Sequence, residues 1–280
     1  MKAKNRTNPV RIIIFIILVL GAATMVIPFL WMLSTSLKES NLVYQIPPQW
    51  IPDPVDWHNY VEVWKNSNLL SGLKNSVIVS GSVVIVGTVS STMAAFSFAK
   101  LTFPGKKYFF MALLSTMMIP IVVLLVPQYI IYTKIKWINT LLPLMVPGML
   151  GNASMIFFLR QYMTGLPTEL IEAAKIDGCG YFRTYYQIFL PLSKPAVISN
   201  VIMIFMATWN DYFGPMVFVN DAKKQTVQVA ISMLNSYYEN QTDVPVVMAA
   251  ALIAVLPVLL LFIFCQKYFT ESFAMSGIKG

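Results

Sequence analysis

The chain has 280 residues, 57% of them hydrophobic and 11% charged, with a mean hydropathy of +0.66. A soluble domain carries about a quarter of its residues as charged groups, so the composition excludes one and describes a polytopic membrane protein. The 20 basic residues outnumber the 12 acidic ones for a net charge of +8, but they are spread over many loops and form no single patch, which argues against a nucleic-acid partner.

Residues 1–11 hold Lys2, Lys4, Arg6 and Arg11 with no acid, and an apolar run over 12–33 follows. That run is longer than the roughly 7–15-residue core of a signal peptide, and no cleavage site closes it. It reads as an uncleaved first span with the N-terminus in the cytoplasm. Residues 34–74 are the longest polar connection and set Glu39, Asp53, Asp56 and Glu62 against three lysines; the charge rule puts them outside. The centre of this loop, Ile46-Pro47-Pro48-Gln49-Trp50-Ile51-Pro52-Asp53-Pro54, is expected to be extended, because proline fixes its own φ and keeps the residue before it out of the helical region. Trp50, Trp57, Tyr60 and Trp64 suit either the membrane interface or a docking surface for an external partner.

A second span over 75–99 repeats small residues every four positions, Gly87, Ser91, Ala95 and Ala99, a stripe that lets helix backbones approach closely in lipid. Lys100, Lys106 and Lys107 with the turn Pro104-Gly105 then mark a short inner loop. The third span, 108–132, contains Pro120 and Pro127 and is expected to be kinked or broken. Lys134 and Lys136 follow on the outside as a local exception to the charge rule. Span four, 141–159, contains Pro147, Gly148 and Gly151 and delivers the chain to a polar inner loop over 160–195. Span five, 196–219, carries Trp209-Asn210-Asp211-Tyr212-Phe213-Gly214-Pro215 in its outer part. Asp211 lies within an apolar run and reads either as part of a gate or solute pathway or as a carboxylate at a helix end. After an outer loop over 220–243, span six covers 244–264. The result is an all-α protein of six spans with both termini inside, and its basic residues favour the inner side by about two to one.

The polar loop has its own local order. Thr168 suits an N-cap, residues 169–177 favour helix, and Gly178 stands where a C-cap glycine belongs. A second short helix is expected over 181–189, with Phe182, Tyr185 or Tyr186, and Phe189 on one face and Pro191 and Pro195 stopping it. Neither piece has the roughly twenty apolar residues a crossing needs, so the loop reads as a helix-turn-helix at the membrane surface.

Catalytic chemistry is sparse. Cys179 and Cys265 are placed for neither a disulfide nor a metal site, and His58 is the single histidine, so no metal is expected. No phosphate-cradling Gly-x-x-x-x-Gly-Lys-Ser/Thr loop occurs, so the chain is not expected to bind or split ATP. Without a histidine in a span or paired carboxylates, an intramembrane hydrolase is also disfavoured.

Glu172-Ala173-Ala174, then Gly178, then Ile188-x-Leu190-Pro191 resemble the signature loop of permease subunits in binding-protein-dependent ABC importers. Asp177 before the glycine and Pro195 after the loop narrow the resemblance to the carbohydrate-uptake branch, of the maltose-permease type. The Pro-Pro-x-Trp-x-Pro stretch with Asn59-Tyr60, the pair Trp209-Asn210, the stretch Gln266-Lys267-Tyr268-Phe269 and the ending Ser276-Gly277-Ile278-Lys279-Gly280 look similar too, so the resemblance covers essentially the whole chain. It implies a type I ABC importer permease fold in the plasma membrane, paired with a second permease subunit. Two cytoplasmic ATPase subunits would carry the ATP and magnesium, leaving no cofactor on this chain, and an extracytoplasmic solute-binding protein would deliver a sugar or oligosaccharide. The resemblance assigns ATPase coupling to Glu172, Ala173, Ala174, Asp177 and Gly178. Trp209, Asn210 and Asp211 are candidates for the solute path or its outer gate. The rival class is an ion-coupled secondary transporter, which would need a membrane-embedded carboxylate and often shows repeated halves; Asp211 is its one support.

Overall fold

The computed structural model describes residues 9–236 and 243–277, and every regular element among them is helical. The chain divides into two compact units, Met1–Ser67 with Ile231–Ile253, and Asn68–Ala230 with Ala254–Gly280.

In the first unit, α1 (Pro9–Ser36) is apolar on every face and buries none of its central window against the protein, as a helix surrounded by lipid would. A 3₁₀ turn (Ser40–Leu42) and α2 (His58–Asn66) follow. The proline-rich centre between them has no helix or strand, and it is drawn back onto the end of α1. Ser34 Oγ donates to the Trp50 carbonyl at 2.6 Å, and the Trp31 and Trp50 rings meet edge-on at 5.0 Å. Asn59 is buried, its amide donating to the carbonyls of Ser36 (3.1 Å) and Lys38 (2.9 Å), while the Tyr60 hydroxyl pairs with Ser36 Oγ at 2.9 Å.

The second unit is built on α3 (Leu69–Lys100), 32 residues with no proline. Its buried face runs through Gly72, Ser76, Val79, Val83, Gly87, Ser91 and Ala95, the three- and four-residue steps of one helical stripe. Against it pack α6 (Leu142–Met149), α7 (Ala153–Thr164) and α11 (Lys194–Trp209). The α3–α6 crossing sets glycine on glycine. A Cβ on Gly87 would fall 2.6 Å from the Gly148 carbonyl oxygen, and one on Gly148 would fall 2.7 Å from Val83 Cγ1. Ser90 Oγ adds a bond to the Met149 carbonyl at 2.7 Å.

Proline and glycine place the breaks. Pro120 separates α4 (Lys106–Thr116) from α5 (Ile121–Lys134) with a bend of 98°, whereas Pro127 stays inside α5. Gly151, at φ +101°, separates α6 from α7. Beyond α11 come α12 (Phe213–Phe218), α13 (Val227–Ser236) in the expected outer loop, and α14 (Val244–Gly277), which runs past the expected end of span six. Among the described residues four helical stretches are long and apolar enough to cross a membrane, and up to six if each bent pair is one span.

Candidate coupling surface and outer break

The polar loop begins with α8 (Glu169–Ile176). Thr168 occupies the N-cap position, but its side chain makes no capping bond; its carbonyl instead accepts the Ile171 N–H at 2.9 Å. The far end closes as the glycine predicts. Gly178 lies at φ +72° and donates to Lys175 O at 3.0 Å, and Cys179 N–H reaches Ala174 O at 2.8 Å, the paired bonds of a Schellman cap. The two alanines face opposite ways. Ala174 is buried beside Ile171, whereas Ala173 is exposed with Glu172, Lys175 and Asp177, and Ile176 is 87% exposed.

The second segment departs from expectation. α9 (Tyr181–Thr184) leads into a π-helical turn (Tyr185–Phe189) and then α10 (Leu190–Leu192), so Pro191 lies inside the helical path and does not end it. Proline lacks the N–H that an α-helix would need there, and the ladder just before it is already widened, with Leu190 N–H reaching back five residues to Tyr185 O. The chain turns by 82° only at Ser193, where α11 starts with Pro195 in its first turn. The aromatic residues split as a result: Tyr185 and Phe189 are buried, while Tyr181, Phe182 and Tyr186 remain more than half exposed.

The buried face, with Phe189 in it, rests on a core of Ala95, Phe96, Leu159, Met163 and Ala196, drawn from α3, α7 and the start of α11. Phe96 meets Tyr185 at 5.6 Å and Phe189 at 5.2 Å between ring centroids. Inside this apolar cluster the Tyr185 hydroxyl and Thr92 Oγ1 of α3 are 2.8 Å apart. Lys100, the last residue of α3, donates to the Leu166 carbonyl just before α8 and lies 5.5 Å from the Phe189 ring. Arg160 Nε donates to Phe98 O at 3.2 Å, with its guanidinium 4.2 Å from the Phe110 ring.

At the other end of α11, Trp209 is buried and its indole N–H donates to Ala254 O at 3.1 Å, three residues before the proline that interrupts the ladder of α14. Asn210 ends α11, its amide donating to Met206 O at 2.9 Å and its carbonyl accepting from Gln228 Nε2 at 3.3 Å. Asp211 is half-buried and accepts the backbone N–H bonds of Phe213 and of Gly214 (3.1 Å), which opens α12. A Cβ on Gly214 would lie 2.5 Å from that carboxylate. The three residues therefore form one break between helices, with Asn210 exposed and Trp209 enclosed.

Residues 87–274, two thirds of the chain and all of both sites, match the family model described as binding-protein-dependent transport system inner membrane component. The chain belongs to that family. This permease is 32% identical to the melibiose/raffinose/stachyose import permease protein MelC of Bacillus subtilis over 98% of its own length and 99% of the relative's. It is 29% identical to the arabinooligosaccharides transport system permease protein AraQ of Halalkalibacterium halodurans, over 99% of this chain and 100% of that one. Its fold matches a chain of a bacterial ABC transporter involved in the import of the acidic polysaccharide alginate, at a TM-score of 0.80 and 20% identity, covering 96% of this chain and 100% of that one. It is thus a membrane-embedded subunit of a binding-protein-dependent importer with the type I permease fold.

The sequence presents Lys100 and Arg160 only as expected inner charges and gives Thr92 no distinguishing mark; in the fold Thr92 and Lys100 fix the polar loop to α3, and Arg160 fixes α7 to it. A threonine within a long apolar helix and a lysine at its end carry no distinguishing pattern until the loop is folded against them. Among the described residues no cluster of three His, Cys, Asp or Glu side chains is placed to hold a metal ion.

Proposed function

We propose that this permease moves a sugar or oligosaccharide inward by alternating access, driven through its polar loop by two separate cytoplasmic ATPase subunits that bind ATP and magnesium. A second, related permease would complete the pathway, and both termini would lie inside. The oligosaccharides named for MelC and AraQ support the solute class, and the excess of inner basic residues supports the orientation.

The observation that carries the coupling assignment is the loop's two-faced construction. One face is locked into the core, while the other presents Glu172, Ala173, Ile176, Tyr181, Phe182 and Tyr186 to solvent. Exposed aromatic and aliphatic groups on a short polar segment mark a protein contact. Ala173 permits close approach, Glu172 offers a carboxylate to a partner arginine or lysine, and the Gly178 cap with Asp177 fixes the end of α8. Ala174 contributes from beneath by seating the helix. When the ATPase subunits close, this surface is displaced and the permease shifts toward its outward-open packing; hydrolysis restores the inward one.

At the outer break we assign Asn210 and Asp211 to the solute path or its gate and Trp209 to the buried pivot beneath them. Asp211→Asn combined with Asn210→Ala is expected to lower transport affinity or rate, and wild-type transport by that variant would remove both residues from the path. For coupling, Glu172→Ala and Gly178→Asp are expected to leave the permease in the membrane, to weaken retention of the ATPase subunits on purification and to abolish uptake. Normal solute-stimulated ATP hydrolysis in reconstituted complexes carrying either change would overturn the assignment.

A further inference from the structure

Among the described spans α3 alone runs without a proline or a break: α1 contains Pro28, α4 and α5 bend at Pro120, α6 and α7 part at Gly151, α11 is entered through an 82° bend, and α14 contains Pro257. Breaks absorb motion, so α7 and α11, which flank the coupling loop in sequence, are poorly built to carry a displacement far. The loop is fixed to α3 as well, through the hydroxyl pair of Tyr185 and Thr92 and through Lys100 on the Leu166 carbonyl.

The opposite end of α3 is tied with equal specificity. Asn75 Nδ2 donates to the carbonyls of Lys223 (3.0 Å) and Gln225 (2.9 Å), and Ser76 Oγ accepts the N–H of Val227, the first residue of α13, at 2.9 Å. At Gly72 an added Cβ would lie 3.0 Å from Ala230 Cβ and 3.1 Å from Val227 Cα. From Asn75 to Thr92 the helix rises about 26 Å, and its whole length is about 48 Å against a hydrocarbon core of about 30 Å. With the coupling loop in the cytoplasm, residues 223–230 therefore lie on the outer side, where the solute-binding protein arrives.

We propose that α3 is a strut joining the coupling surface to the outer segment 223–230, with Asn75 and Ser76 positioning one end and Thr92 and Tyr185 the other. Through it, engagement of the solute-loaded binding protein outside biases the ATPase-coupling surface inside, and the coupling is reciprocal. The strut rests on the reading of the loop as the ATPase-docking surface.

The test uses the complete reconstituted complex and reads three quantities: ATPase retention, basal hydrolysis, and stimulation of hydrolysis by solute-loaded binding protein. Tyr185→Phe keeps the ring in its aromatic cluster and removes only the hydroxyl, and Thr92→Val is its isosteric counterpart. Each is expected to keep retention and basal hydrolysis while lowering stimulation about fivefold or more, the low end of ordinary allosteric couplings. The double variant should be no worse than either single one, because one bond is lost in all three, and Thr92→Ser should restore stimulation. Asn75→Ala, at the far end, should give the same loss. Unchanged stimulation in Tyr185→Phe and Asn75→Ala overturns the strut, as does a parallel fall in retention and basal hydrolysis, which marks mere misfolding. Gly178→Asp run alongside separates the two ideas. If it keeps its ATPase subunits, the docking assignment fails and the strut is still judged by the stimulation ratio; if it loses them while the other variants are stimulated normally, the strut alone fails.

Discussion

Lys38 is fully buried two residues past α1, its ammonium donates to no acceptor within hydrogen-bonding distance, and the compensation it has is the Trp31 ring at 4.1 Å. A ring face returns only part of what a desolvated ammonium loses, and burial holds this amine below the ordinary lysine value. The folded chain therefore holds fewer protons than the unfolded one between the two values, so stability rises with pH across that window and the penalty vanishes above the unfolded lysine value. Lys38→Met keeps the stem over Trp31 and removes the charge. At neutral pH it is expected to raise the midpoint of thermal unfolding by about 2 °C or more, the shift that about 1 kcal/mol produces in a chain of this size. The gain should shrink as the pH approaches the lysine range. A lower midpoint in fluorescence-detected thermal scans would instead show that the ammonium is needed where it lies.

Helix crossings show the same dependence on small dimensions. Gly148→Ala would push a methyl into the Val83 side chain, which a substitution can shorten, whereas Gly87→Ala would meet the Gly148 backbone carbonyl, which none can. Overpacking of this kind costs about 1–3 kcal/mol. Val83→Ala should therefore rescue the yield of monodisperse Gly148→Ala permease in size-exclusion chromatography and leave Gly87→Ala poorly assembled. The stripe on α3 was legible in the sequence because close helix approach in lipid demands small residues at that spacing; Gly148 as its partner was not, since the α3–α6 crossing depends on the break at Gly151. The Schellman end of α8 was legible for a similar local reason. What escaped were features set by tertiary contact: the π turn that carries Pro191 inside a helix, the opposite orientations of Ala173 and Ala174, and the burial of Tyr185 while Tyr186 stays exposed. Asn59 stood out only by resemblance, and Tyr60 by resemblance and as an interface or docking aromatic, yet their hydrogen bonds hold the loop after α1 to the end of that helix.

Across the whole molecule, the functional reading depends on which side of the membrane each loop occupies, and two native thiols make that measurable. Cys179 is half-buried in the Schellman cap of α8, one residue past Gly178, and Cys265 is half-buried in α14. In a Cys265→Ala background the only thiol lies beside the proposed coupling surface. A membrane-impermeant maleimide is then expected to label inside-out vesicles stripped of ATPase subunits and to leave right-side-out vesicles unlabelled. Adding back the ATPase subunits should protect the thiol, because Cys179 adjoins the exposed face of α8 that they would cover. A second thiol placed by Asn220→Cys, at an exposed position in the expected outer loop, should show the opposite sidedness and no protection by the ATPase. Labelling of Cys179 in right-side-out vesicles would invert the topology and with it the coupling assignment. Correct sidedness without protection would keep the topology and move the docking surface off α8, because a reagent that still reaches Cys179 has found no subunit seated against the helix end that Gly178 shapes.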